Sequence, residues 1–331
     1  MQRVVGFSIE EPGLQYRDTI KLLDMEFAAT AVGNPRRIVE LVGQQAEGLR
    51  RLSRLREAQA LFSKALLIAQ NSGIEWARGW AHWGIGSVLR AEGSYVLSAA
   101  HFKAATEAAT RSNDRRCLLW SIAGLAELDR MAGRSRNALR THKSLVLEFR
   151  SIGDVKGVCW ASLGIAQIFR VHNDFEKADA EFSRSRELSS NAGHPLGEAW
   201  ALRGQAEIAR ESGDYSLSIE LASAARSMFS SVGYRLGAAY ALKTQTDSLV
   251  QANKLDDALA SACVAQKEFV LCGEHRGIAF SLLSLGNVWA HLKETSRATS
   301  TLRQSQLLLY SSKEAEPQGF SPTRELSRFV R

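Results

Sequence analysis

Four arginines, Arg90, Arg130, Arg170 and Arg210, stand 40 residues apart, and three places before them stand Ser87, Glu127, Gln167 and Glu207. A guanidinium is a rigid fork of donors that matches a carboxylate or a phosphate, so four in one register describe a wall able to hold an acidic chain. Glu127 and Glu207 lie one helical turn from Arg130 and Arg210, where an ion pair is worth roughly a few tenths of a kcal/mol. Ser87 carries no charge and neither does Gln167, so Arg90 and Arg170 are expected to keep free forks. Ten residues before each arginine comes an indole, Trp80, Trp120, Trp160 or Trp200, and the row continues as Tyr240 and Phe280. The polar row beside it continues as Asp247 and Asn287. At about 100° per residue, Trp200 shares a helical stripe with Gly204, Glu207 and Glu211. Arg203 and Arg210 flank that stripe, and Lys243 accompanies Tyr240 and Asp247 one unit later.

Two uses are open for the rings: wedges between neighbouring helices, each facing a small residue, or the floor of a groove. Six such rings would expose on the order of 1,000 Å², more than the few hundred a monomer usually shows, so they are partly packed or something covers them. No phosphate-binding glycine loop, zinc-protease helix, nucleophile elbow or paired-carboxylate constellation is present. The histidines fall at different slots of different units, and no metal or cofactor is expected. Cys117, Cys159, Cys263 and Cys272 form no C-x-x-C pair and read as small buried apolar residues.

The elements that must carry these rows follow from the spacing itself. Gly or Asn recurs at Gly33, Gly73, Asn113, Gly153, Gly193, Gly233 and Gly273, although glycine is only 25 of 331 residues. Seven residues later stand the aromatics, and four after those a small residue: Gly84, Gly124, Gly164, Gly204, Thr244 or Ser284. Within each unit the apolar residues recur at three and four, which argues helix, and a short polar break divides the unit into a hairpin. In one unit, helix A runs from about Lys156 to His172, Asn173-Asp174 turns, and helix B runs from about Phe175 to Asn191. The slot glycine closes helix B in the left-handed region, and Pro35 and Pro195 start helices two residues after a slot.

The run Ile165-Ala166, Phe169, Asn173-Asp174-Phe175, Ala178, Phe182 resembles the tetratricopeptide repeat. So do Ile85-Gly86, Leu89, Gly93, Tyr95, Ser98, Phe102, Ala105 and Leu285-Gly286, Trp289, Ala298, Leu302. The unit is 40 rather than 34 residues, similar to the long-helix variants of this superfamily. The resemblance implies an all-α fold: a right-handed α-solenoid of about seven helical hairpins, with A helices inside and B helices outside, closed by N- and C-terminal capping helices. Asp129, His142, Gln245 and Thr246 occupy slots that are usually apolar or small, so looser packing is expected there.

The chain divides into residues 1–33, a capping helix centred on 14–32; residues 34–312, seven repeats; and residues 313–331, a tail or second cap. Nothing in it resembles a signal peptide or a membrane span, so a cytoplasmic protein is expected. A net charge of +7 and pI near 9.4 admit an acidic partner. The arginine-rich run at 50–59 reads as a turn and helix B with a solvated outer face. The expected function is non-catalytic: a scaffold whose concave groove holds an extended or helical, acidic peptide segment of a partner protein. Nucleic acid or a small ligand in the same groove is the second reading, and Glu127, Glu207, Glu211 and Asp247 argue against a nucleic acid.

Overall fold

A computed structural model of the chain describes residue 7 and residues 34–311. The expected caps at 14–32 and 313–331 lie outside the described residues. Fourteen helices follow one another among the described residues: α1 (Pro35–Arg51), α2 (Leu55–Asn71), α3 (Glu75–Ala91), α4 (Tyr95–Arg111), α5 (Arg115–Met131), α6 (Ser135–Ser151), α7 (Val155–Val171), α8 (Phe175–Asn191), α9 (Pro195–Glu211), α10 (Tyr215–Ser231), α11 (Arg235–Gln251), α12 (Leu255–Cys272), α13 (His275–His291) and α14 (Thr295–Ser311). The odd-numbered helices are the A helices of seven hairpins.

One residue with positive φ sits in every linker, at each twentieth position from Ser53 to Lys293. The linker hydrogen bonds are also repeated. Gly73 N–H donates to the Gln70 carbonyl at 3.3 Å and Ile74 N–H to the Ala69 carbonyl at 2.8 Å, and the same pair of bonds recurs at the other linkers. This double closure satisfies the last carbonyls of one helix, and the next residue already starts the following helix. At Asn34, Asp114, Asp154, Asp214 and Glu274, which take that starting position, the side chain accepts a backbone N–H of the first turn, whereas Asp174 turns to Lys177 instead. Pro35 and Pro195 open α1 and α9, where a missing N–H costs nothing.

Hairpins stack through a ring-on-glycine contact. The Phe102 ring of α4 lies where a Cβ on Gly124 of α5 would come within 2.5 Å of it, and Phe62 and Phe182 lie in the same way on Gly84 and Gly204. A methyl at these positions would overpack a closed contact. Successive A helices pack on one another from α1 through α13, while each B helix packs on the A helices beside it. The stack therefore curves with the A helices inside. Phe7 is buried where the first two hairpins meet, against Phe62 of α2 and Trp76 of α3 with ring centroids at 6.4 and 5.9 Å.

The curvature brings distant units together. Leu236 N–H, at the start of α11, donates to Ser53 Oγ at 3.1 Å across 183 residues. Gly93, between α3 and α4, lies against the His275 ring at the start of α13, and Gly233 against Leu52. These contacts form a seam where the first two hairpins meet the linkers that follow the fifth and sixth.

The atypical slots are filled by hydrogen bonds more than by loosened packing. Thr246 bonds to the Leu242 carbonyl and to Ser261, and Ser248 to Ser218 at 2.7 Å. Asp129 pairs with Arg134 at 2.8 Å. His142 is the exception. It takes the slot of Phe102 and Phe182, is fully buried, and neither ring nitrogen has a partner. Of the cysteines, Cys263 is exposed, against expectation, because it sits on the outer side of α12; the other three are buried.

Two predictions follow from this backbone and this core. Lys293 alone among the linker residues is neither Gly, Asn nor Ser at positive φ, so Lys293→Gly raises stability by about 0.5–1 kcal/mol, and Gly213→Ala lowers it by about 1 kcal/mol, in chemical denaturation. Burial holds His142 down to about 4, with nearby Arg130 adding to and Glu127 opposing that shift. Its folded value is depressed, so its contribution to stability is full above about pH 6.5 and is lost as pH falls toward 4. His142→Phe removes about 2 kcal/mol of the stability lost between pH 7 and pH 5. It flattens the slope without abolishing it, because burial holds His82 and His194 at about 4 as well.

Candidate functional site: the inner wall

The phased aromatics line up along the A helices, and they are wedges. Trp80 is buried, and Trp120, Trp160, Trp200, Tyr240 and Phe280 are half-buried. Trp83 bridges Trp80 and Trp120 at 5.5 and 6.2 Å, Trp120 meets Trp160 at 6.4 Å, and Trp200 meets Tyr240 at 5.9 Å. Some rings are also pinned by hydrogen bonds. Trp80 Nε1 donates to Asp114 at 2.8 Å, Trp120 Nε1 to Asp154 at 2.9 Å, and the Tyr240 hydroxyl to Glu274 at 2.9 Å. Each of these acids also starts the next A helix, accepting from Cys117, Gly157 or Gly277 N–H. One carboxylate thus caps a helix and anchors the preceding unit's ring. For Trp160 and Trp200 that slot holds His194 and Tyr234 instead of an acid, Trp200 meets Tyr234 ring to ring at 6.3 Å, and neither indole N–H has a partner among the described residues.

The charged row forms a network between units. Burial disfavours the charge of Glu127, but Arg130 outweighs it at 2.6 Å and holds the carboxyl at about 2. Glu207 is kept at about 2 against burial by Arg170 and Arg203, with Gln167 donating from the preceding unit at 3.1 Å. Arg170 also reaches Glu211, at 2.5 Å, where burial raises the carboxyl and Arg170 opposes the rise. Arg170 is therefore not free, contrary to its sequence spacing. Its neighbour one unit on, not its own helix, supplies the acids. Arg210 turns to Glu211 at 2.9 Å instead of Glu207, whose oxygens are taken. Arg203 stacks on Trp200 and Tyr240 at 5.5 and 5.1 Å, while Lys243 pairs with Asp247 at 2.6 Å and lies over Phe280. Asp247 in turn accepts from Ser284.

Arg90 keeps a free fork, as its spacing implied: it makes no hydrogen bond or ion pair among the described residues. The arginine row also starts one unit earlier than the sequence reading placed it. Arg50 and Arg51 end α1 and pair with buried Glu47 at 2.7 Å, and Arg50 lies over Trp83 at 5.3 Å. They line the inner wall, which corrects the reading of the run 50–59 at its first two positions, whereas Arg54 and Arg56 are exposed as that reading has them. Extending the 40-residue register back from Arg90 and Glu127 would have found Arg50 and Glu47. Burial works against Glu47, yet Arg50 and Arg51 hold it at about 2. Among the described residues no cluster of three His, Cys, Asp or Glu is placed to hold a metal ion, and no helix is long and apolar enough to cross a membrane.

No protein-family model matches the chain, and no curated protein matches it. Solved structures do. A Rap protein complexed with Competence and Sporulation Factor is similar with a TM-score of 0.60 and 13% identity, covering 95% of this chain and 93% of that one. A signal transduction ATPase with numerous domains and a tetratricopeptide repeat sensor, from Pyrococcus horikoshii, gives a TM-score of 0.49 at 16% identity, over 89% of this chain and 52% of that one. A tetratricopeptide repeat protein from Parabacteroides merdae gives 0.46 at 14%, over 88% and 99%. With its unbroken series of stacked hairpins, the chain has the tetratricopeptide-repeat fold, in a form whose units are 40 residues long.

Proposed function

We propose that this protein is a non-catalytic scaffold that holds an acidic peptide segment of a partner protein on its inner wall. The observation that carries the reading is the row of half-buried rings from Trp120 to Phe280 along the A helices, flanked by guanidiniums of which Arg90 has no ion pair among the described residues. Trp160 and Trp200 offer apolar faces and unpaired indole donors in the middle of the array. Arg203 and Lys243 lie over the neighbouring rings, where they can meet carboxylates of a bound chain. Affinity is then the sum of several weak, unit-by-unit contacts. The similar Rap protein was solved with Competence and Sporulation Factor bound, which agrees with a binding role for this shape. A cytoplasmic location fits the free cysteines.

A nucleic acid is the competing ligand. Glu47, Glu127 and Glu207 are ionised along the same wall but each is paired with guanidiniums, so salt dependence rather than the sign of charge separates a phosphate chain from an acidic peptide.

Every tryptophan of the chain, from Trp76 to Trp289, lies on an A helix, so intrinsic fluorescence reports this wall. Titration with an acidic peptide is expected to shift tryptophan emission saturably, and Arg203→Ala to weaken binding about five- to tenfold, whereas outward-facing Arg226→Ala leaves it unchanged. Binding that leaves the emission untouched removes the inner wall as the site. A logarithmic salt slope of about −0.7 per phosphate for an oligonucleotide, with no acidic peptide bound, establishes the competing ligand instead.

A further inference from the structure

The seam brings a second cation that has no ion pair among the described residues, Arg276, to the end of the helix that carries Arg90. Arg276 follows His275, whose ring lies on Gly93, and Gly93 is one turn beyond Arg90 at the end of the same hairpin's A helix. Arg276 stacks on Phe280 at 5.1 Å but has no ion pair or hydrogen bond among the described residues. Both guanidiniums act on the same two groups, the Tyr95 hydroxyl and the buried Glu274 carboxyl. The contact of Gly93 with His275 brings the end of α3 to the start of α13, so the two arginines meet at the seam although they come from the second and the seventh hairpin.

The acids nearby do not neutralise the pair. Glu274 accepts from Tyr240 and from Gly277 N–H, and burial raises its carboxyl despite both bonds and both arginines. Glu127 is hydrogen-bonded twice by Arg130, and Glu47 is taken by Arg50 and Arg51. Tyr95, whose hydroxyl burial pushes up, stays neutral and can donate. Two half-buried guanidiniums with idle forks, a neutral hydroxyl and one internal carboxyl leave an excess of positive charge at the point where one turn of the superhelix meets the next.

We infer that Arg90 and Arg276 together bind one carboxylate of a peptide ligand, which bridges the second and seventh hairpins and fastens the seam. The inference rests on the peptide-scaffold reading and adds to it the anchor and its consequence. A group that touches both sides of the seam binds only when the seam is closed, so its binding free energy is added to closure, and closure to its affinity. Ligand occupancy thereby sets the pitch of the array, and with it the spacing of every contact surface along the solenoid.

The probes are N-acetyl-tetraglutamate amide, which carries side-chain carboxylates only, N-acetyl-tetraglycine acid, which carries a terminal carboxylate only, and N-acetyl-tetraglutamine amide, which carries neither. At least one carboxylate peptide is expected to bind the wild type at least fivefold more tightly than the neutral peptide, and which one does so identifies the source. Arg90→Ala and Arg276→Ala are each expected to reduce that affinity at least fivefold. Bound ligand is expected to slow hydrogen exchange of the Leu236 amide, the seam donor to Ser53, in the wild type but not in Arg276→Ala. Wild-type affinity in both variants, equal binding of all three peptides, or unchanged Leu236 exchange at saturation each overturns the bridge. If Arg203→Ala still weakens binding of the acidic probe in that case, the anchor is wrong and the groove stands. If the emission does not respond to any probe, both fall.

Discussion

Everything in this molecule depends on a single backbone constraint: one left-handed residue every twentieth position, with the residue after it closing one helix and opening the next. Thirteen identical reversals would be improbable if each were free to choose its own geometry, because any extra linker residue would rotate the following helix about its axis. The low cost of positive φ for Gly, and its tolerable cost for Asn, keep the reversal uniform. Uniform reversals keep all the A helices in phase. Only then can an indole in one unit reach the acid that caps the next A helix, or an arginine find glutamates 37 and 41 places further on, as Arg170 does.

The charged wall has a similar logic. Removing Glu47, Glu127 and Glu207 from water carries a desolvation cost of several kcal/mol per ion unless geometry and hydrogen bonds offset it. Here each glutamate is met by a fork or by two separate cations, so all three remain ionised. A neutral repeat would pack as well, and the pairs add orientation more than stability. They hold Arg130, Arg170 and Arg203 along the wall, so those side chains are already ordered by the fold itself.

The sequence made the fold plain because the fold is periodic. The hairpin Val155–Val171 and Phe175–Asn191 departs from the reading by one residue at one helix, since the left-handed slots mark both ends. The aromatic row was also legible, and the bulk of six rings already argued that they are partly packed. The pinning acids Asp114, Asp154 and Glu274 were in phase as well, 34 residues after their rings, but helix-cap residues are numerous and their second role shows only in space. What one unit's register cannot contain is contact between units several places apart. Arg276 and Tyr234 approach the arginine row through the pitch of the superhelix, which depends on small rotations summed over several hairpins. The true partner of Arg170 was hidden for the same reason on a shorter scale: same-helix spacing offered Gln167, while geometry offered Glu211 as well.

The seam joins a hairpin's own loop to a linker between two later hairpins, as Ser53 does with Leu236. A stack of five hairpins therefore has no such closure, and a sixth supplies the first one. Lengthening by duplication would be gradual in cohesion up to that threshold and then change character, from an open spring whose ends move independently to a coil whose ends report on each other. This array, with two rungs of self-contact, has just passed that threshold.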